Sequence, residues 1–106
     1  MAQVNQMQAN QVLEIFNKKD PDYVLIDVRE PEEWEMGVIP NIVKISLGDL
    51  EEKLSELDKS KKYIMVCRSG ARSNFASSIM LDSGFSDVSN FSGGMISWEG
   101  NDFPVE

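Results

Sequence analysis

Residues 63–80 read YIMVCRSGARSNFASSIM. The first four, 63–66, are an unbroken apolar run, short and preceded by lysines, which predicts a strand covered on both faces. A polar, glycine-containing turn follows at once. A helix is predicted over 72–83, with Phe75, Ala76, Ile79 and Met80 inward and Gly84 as its cap. The order strand, tight turn, helix is half of a βαβ unit, so the fold depends on whether that unit recurs.

It does recur on both sides. Residues 23–28, YVLIDV, predict a second buried strand, and residues 42–46, IVKIS, and 88–91, VSNF, two more. A weak edge strand is expected near Val4–Met7. Helical rhythm runs over 9–19, where lysines end the helix at its negative pole. Pro31 opens a short helix over 31–36 that Gly37 closes, and Leu50, Leu54 and Leu57 share one face of a helix over 47–57. MISWEG predicts a last turn or short helix. The expected fold is α/β in three layers, α/β/α, around a mostly parallel sheet of four to five strands. No linker or repeat divides the 106 residues, so residues 1–106 are expected to form one domain.

Charge excludes several functions. Ten basic against eighteen acidic residues leave a net charge of -8, a poor match for nucleic acid or an anionic membrane. The acidic run from Asp27 to Glu35 is most simply a solvated face. No histidine is present, which removes histidine-based acid–base chemistry and most transition-metal sites, so no metal is expected. The N-terminus lacks a basic, then apolar, leader, and no apolar run approaches a membrane span. One cysteine cannot form an internal disulfide, which points to a reducing, cytoplasmic setting.

That cysteine, Cys67, is followed by Arg68 and Arg72, two of the three arginines in an acidic chain. In parallel α/β folds ligands bind at the carboxyl ends of strands, where Cys67 falls. A turn there can aim several N–H groups inward, and a helix N-terminus adds its own. Both lower a thiol's pKa. Gly70 gives the turn backbone freedom, Ser69 and Ala71 leave room, and the arginines would favour a thiolate and draw in an anion. A buried, inert cysteine is the competing reading, but two charged side chains and a glycine mark an exposed turn.

Three segments resemble the rhodanese-like sulfurtransferases. They are YVLIDVREPEEWEMGVIPNIVKI with Asp27, Arg29, Glu30, Trp34, Gly37, Ile39 and Pro40 in register, YIMVCRSGARS, and GFSDVSNFSGGMISW with Gly84, Val88, Gly93, Gly94 and Trp98. The order and spacing of all three make the resemblance specific, although Val38 stands where the family commonly has histidine. The resemblance implies that Cys67 takes sulfur from thiosulfate or a protein persulfide, becomes a persulfide, and passes the sulfur to a thiol or to cyanide. It implies a substrate-binding loop of Arg68, Ser69, Gly70, Ala71, Arg72 and Ser73, and no cofactor.

Asp27 and Arg29 are expected to support the site structurally, Trp34 and Trp98 to pack, and Gly93–Gly94 to make a tight turn. Ser69 and Ser73 can donate hydrogen bonds, and for Ser73 a helix cap is the expected role. Two alternatives stand beside the enzyme. A docking module would show a damaged loop, and this loop is intact. A cysteine phosphatase needs a longer loop around a phosphoryl group than the one between Cys67 and Arg72.

Overall fold

The computed structural model describes residues 4–106. In chain order the elements are β1 (Asn5–Met7), α1 (Ala9–Lys18), β2 (Tyr23–Asp27), α2 (Pro31–Trp34), β3 (Val43–Lys44), α3 (Leu50–Lys53), β4 (Lys62–Val66), α4 (Ala71–Asp82), β5 (Val88–Phe91) and α5 (Gly94–Gly100). The five strands form one sheet in the order β1-β5-β4-β2-β3, and every neighbouring pair is parallel. Residue alternation along β4 separates the two faces. Ile64 and Val66 pack with Val12 of α1 and Met95 and Trp98 of α5. Tyr63, Met65 and Cys67 pack with Leu50 of α3 and Ala76 and Met80 of α4. The three-layer α/β/α arrangement follows, with Cys67 on the α4 side.

Four details differ from the expectations. The strand predicted over 42–46 pairs only through Val43 and Lys44, against the end of β2. Its approach is bent by Asn41, in the left-handed region at φ 67°. The helix predicted over 47–57 is instead a 3₁₀ turn (Leu47–Asp49), α3, and a second 3₁₀ turn (Leu54–Glu56). Leucines spaced by three, 47 to 50 and 54 to 57, match the 3₁₀ period, and the spacing of four between them matches the α turn. α2 stops at Trp34 rather than at residue 36. Phe75 is not inward: it is 61% exposed, and α4 buries Ser73, Ala76, Ser77 and Met80. Ser73 turns toward the sheet to reach polar partners there, and that rotation carries Phe75 to the far side.

α4 ends as expected. Gly84 takes φ 97°, its N–H reaches Leu81 O, and Phe85 N–H reaches Met80 O, the two bonds of a Schellman cap. Among the described residues no helix is long and apolar enough to cross a membrane.

Candidate active site

Cys67 leaves the end of β4, the central strand, and four residues later α4 begins. Gly70 is the residue before α4, at φ 96°, a backbone state that disfavours any side chain. A Cβ there would also fall onto the Ser92 carbonyl oxygen. The loop is held from below by α5: Met95 N–H donates to Cys67 O at 2.9 Å and Ile96 N–H to Arg68 O at 3.1 Å. Gly94, at φ 56°, permits that approach, since a Cβ there would stand 2.6 Å from Cys67 O. The Gly93–Gly94 pair thus makes the tight turn expected of it and also seats the loop.

The sulfur lies on the floor of this loop, with Cys67 only 1% exposed. Gly70 N–H donates to Sγ at 3.1 Å, and the Ser73 hydroxyl lies 3.2 Å from it. Burial alone would raise the thiol's pKa, and it is the largest single influence. The Ser73 hydroxyl and the backbone N–H groups of Ser73, Gly70 and Ser69 together outweigh it, so the thiol is more acidic than an ordinary one. The Ser73 cap is therefore corrected. Ser73 lies inside the first turn of α4, buried, and its hydroxyl is used on the sulfur and on Asn90.

The two arginines have different surroundings. Arg72 forms a two-pronged ion pair with Glu33 of α2, Nη1 to Oε1 at 2.7 Å and Nη2 to Oε2 at 2.9 Å. The hydrogen bonds from Arg72 draw the Glu33 carboxyl down to about 2, and Glu33 raises the guanidinium's pKa in return. Glu33 also accepts from Glu30 N–H at 3.2 Å, so one carboxylate caps α2 and clamps α4. Arg72 is thus committed to a partner outside the loop. Arg68 and Ser69 are exposed, as is Ala71, and Arg68 makes no ion pair among the described residues.

Asp27 and Arg29 lie beside the root of the loop, where Asp27 is in register with Val66. They form a buried pair, 0% and 3% exposed, through Arg29 Nε and Nη2. Arg29 Nη2 also donates to Gly37 O at 2.8 Å, tying the segment after α2 to β2. Trp98 is buried and donates Nε1 to Pro104 O at 2.7 Å, whereas Trp34 is half-buried and its Nε1 has no partner among the described residues. Two residues of the site were not singled out from the sequence, Glu33 and Asn90. Both act across long sequence separations, and only the fold brings them to the loop.

A family model described as the rhodanese-like domain matches residues 8–101. YtwF of Bacillus subtilis, a candidate sulfurtransferase, is 47% identical over 85 residues, covering 80% of this chain and 82% of its own. A sulfurtransferase of Allochromatium vinosum is 33% identical over 84 residues, covering 79% and 78%. Among solved structures, a rhodanese-related protein of Thermoplasma volcanium superposes with a TM-score of 0.86 at 31% identity, covering 96% of this chain and 97% of that one.

Proposed function

The chain belongs to the rhodanese-like domain family and is a sulfurtransferase acting through a cysteine, and we propose that Cys67 is the residue that carries the sulfur. The observation that carries this reading is the convergence of Gly70 N–H and the Ser73 hydroxyl on a cysteine sulfur at the head of α4. In the first half-reaction the Cys67 thiolate attacks the outer sulfur of the donor. The donor's sulfur–sulfur bond breaks, its electron pair leaves with sulfite or a donor thiolate, and a Cys67 persulfide forms. In the second, an acceptor thiolate attacks the outer sulfur and the electron pair returns to Cys67 Sγ. The loop N–H groups are fixed dipoles that stabilise the anion without reorganising.

A protein persulfide suits this mouth better than free thiosulfate. Thiosulfate is a dianion, and Arg72 is already paired, leaving Arg68 as the one uncommitted loop cation in a chain of net charge -8. Apolar contact is available instead. Met36, Phe75 and Ile96 are 73%, 61% and 53% exposed. Met36 follows Glu33 by three residues, Phe75 is one turn beyond Arg72, and Ile96 is hydrogen-bonded to Arg68. Exposed apolar side chains on the segments that carry Glu33, Arg72 and the Arg68 contact suit a protein surface. A lone reactive thiol of this kind belongs in a reducing compartment such as the cytoplasm.

The test is intact mass. Incubation with a persulfidated donor protein should add one sulfur atom, which cyanide removes as thiocyanate, and Cys67→Ser should gain none. Thiosulfate should load the protein more slowly at equal concentration. No gain from either donor overturns the assignment of Cys67, and faster loading by thiosulfate overturns the choice of donor.

A further inference from the structure

Asn90 is a buried polar side chain within the sheet. In the sheet register it lies between Gln6 of β1 and Met65 of β4, and Met65 is opposite Ile26 of β2. Met65 and Ile26 are fully buried and Asn90 is 2% exposed. A buried carboxamide is costly unless its groups are engaged, and here they are. Nδ2 donates to Gln6 Oε1 at 2.9 Å and to Gly70 O at 3.1 Å, which fixes the oxygen end toward α4. Oδ1 lies 2.5 Å from the Ser73 Oγ, which is itself 3.2 Å from Cys67 Sγ.

A serine hydroxyl has one proton. It cannot serve the Asn90 oxygen and the Cys67 sulfur together, and the nearer acceptor is Asn90. We propose that Asn90 is a positioning residue whose carboxamide oxygen holds the Ser73 hydroxyl proton while the Cys67 sulfur is uncharged and yields it as charge develops on that sulfur. The inference rests on Cys67 being the sulfur carrier. In the thiol the hydroxyl donates to Asn90, and its lone pair is open to the S–H. In the thiolate it turns to Sγ. Once the persulfide has formed, Sγ is neutral and the charge is on the outer sulfur, so the hydroxyl returns to Asn90. On discharge the Sγ–S bond breaks, the electron pair goes to Sγ, and the hydroxyl turns again. The proton stays on oxygen throughout, and only the direction of the O–H changes.

Asn90 also touches the Gly70 carbonyl, but Gly70 is held independently. Its carbonyl accepts Asn74 N–H at 3.1 Å, and its Cα abuts the Ser92 carbonyl. The distinctive effect of Asn90 therefore runs through Ser73. The charged groups around the thiol, Arg68, the Arg72–Glu33 pair and the Asp27–Arg29 pair at the root of the loop, are not themselves altered by substitutions at either residue, and the charge that Asn90→Asp adds is present in both Ser73 backgrounds.

The experiment is the pH dependence of Cys67 alkylation, with single-turnover persulfide discharge alongside, in Asn90→Leu, Asn90→Asp, Ser73→Ala and the two double variants. Circular dichroism confirms folding. Without the competing oxygen, Asn90→Leu should hold about threefold more thiolate than wild type at a pH below the inflection, the difference of a modest hydrogen bond. That gain should vanish in the Ser73→Ala background. Asn90→Asp keeps the oxygen and strengthens its hold, so thiolate should fall, and fall further with Ser73 present than without it. If Asn90→Leu does not fold, this second comparison decides. An unchanged or less acidic thiol in Asn90→Leu, a gain that survives Ser73→Ala, or an equal fall for Asn90→Asp in both backgrounds overturns the proposal. Failure of wild type to gain sulfur would instead sink Cys67 as carrier, a separate measurement.

Discussion

Glu33→Gln removes one charge from the Arg72 clamp and little else, because glutamine still offers an oxygen to Glu30 N–H. The carboxyl is drawn from the usual 4.5 to about 2, chiefly by hydrogen bonds from Arg72. At about 1.4 kcal/mol per pH unit that sets a ceiling of roughly 3 kcal/mol. Arg72 and Glu33 are 36% and 26% exposed, and solvent screening brings the expected contribution to about 1–2 kcal/mol. Because the folded value lies below the unfolded one, the contribution is complete above about pH 4.5 and is lost as pH falls toward 2. Urea unfolding should therefore show wild type more stable than Glu33→Gln by that margin at pH 7, with the gap closing between pH 4.5 and 2.5. The variant also releases Arg72 toward the mouth, so its KM for thiosulfate should fall severalfold. A gap that is the same at pH 7 and pH 2.5, or absent at both, refutes the clamp. An unchanged KM refutes the view that Arg72 is withheld from the donor.

Gly94→Ala would force a side chain into the left-handed region and onto the loop carbonyls, so it should cost about 2–4 kcal/mol in urea unfolding and slow sulfur loading. Asp27→Asn strands the buried Arg29 charge and should cost about 3–5 kcal/mol, a loss visible in thermal melts, without moving the Cys67 alkylation inflection. Arg68→Ala should raise the steady-state KM for thiosulfate with little change in kcat, and salt should mimic it, because Arg68 acts as an exposed charge.

The fold was readable because its strands are apolar runs between helical rhythms, and parallel topology follows from that alternation. Cys67 and its loop were readable because a thiol, a glycine and two arginines are unusual chemistry directly after a buried strand. The failures share a cause. Phe75 looked buried on propensity, but Ser73 is anchored to polar groups on the sheet, and the whole helix rotates with it. The anchor, Asn90, reads in VSNF as an ordinary residue of a short strand. Its neighbours Gln6 and Ser73 are 84 and 17 residues away. The proximity of Arg72 to Cys67 is visible in the sequence, but its partner is not, because the Glu33 that engages it is 39 residues distant. Local periodicity carries no information about such pairings.

The commitment of Arg72 to Glu33 bears on how the site holds charge at all. In the proposed cycle anionic charge moves from Sγ to the outer sulfur and back. A free guanidinium in the bowl would stabilise each of these states and also the leaving sulfite, holding a product that must depart. The donors at hydrogen-bonding range of Sγ are instead neutral, one N–H and one hydroxyl, at 3.1 and 3.2 Å. They act strongly at contact and weakly beyond it, so an anion that leaves the floor of the loop is soon released. Pairing Arg72 with a carboxylate weakens the long-range attraction while keeping the guanidinium's geometry, which now joins α2 to the first turn of α4. The arginine in the loop thus serves the sulfur by fixing the helix that carries Ser73, and the acidity of Cys67 is built mainly from dipoles rather than from ions.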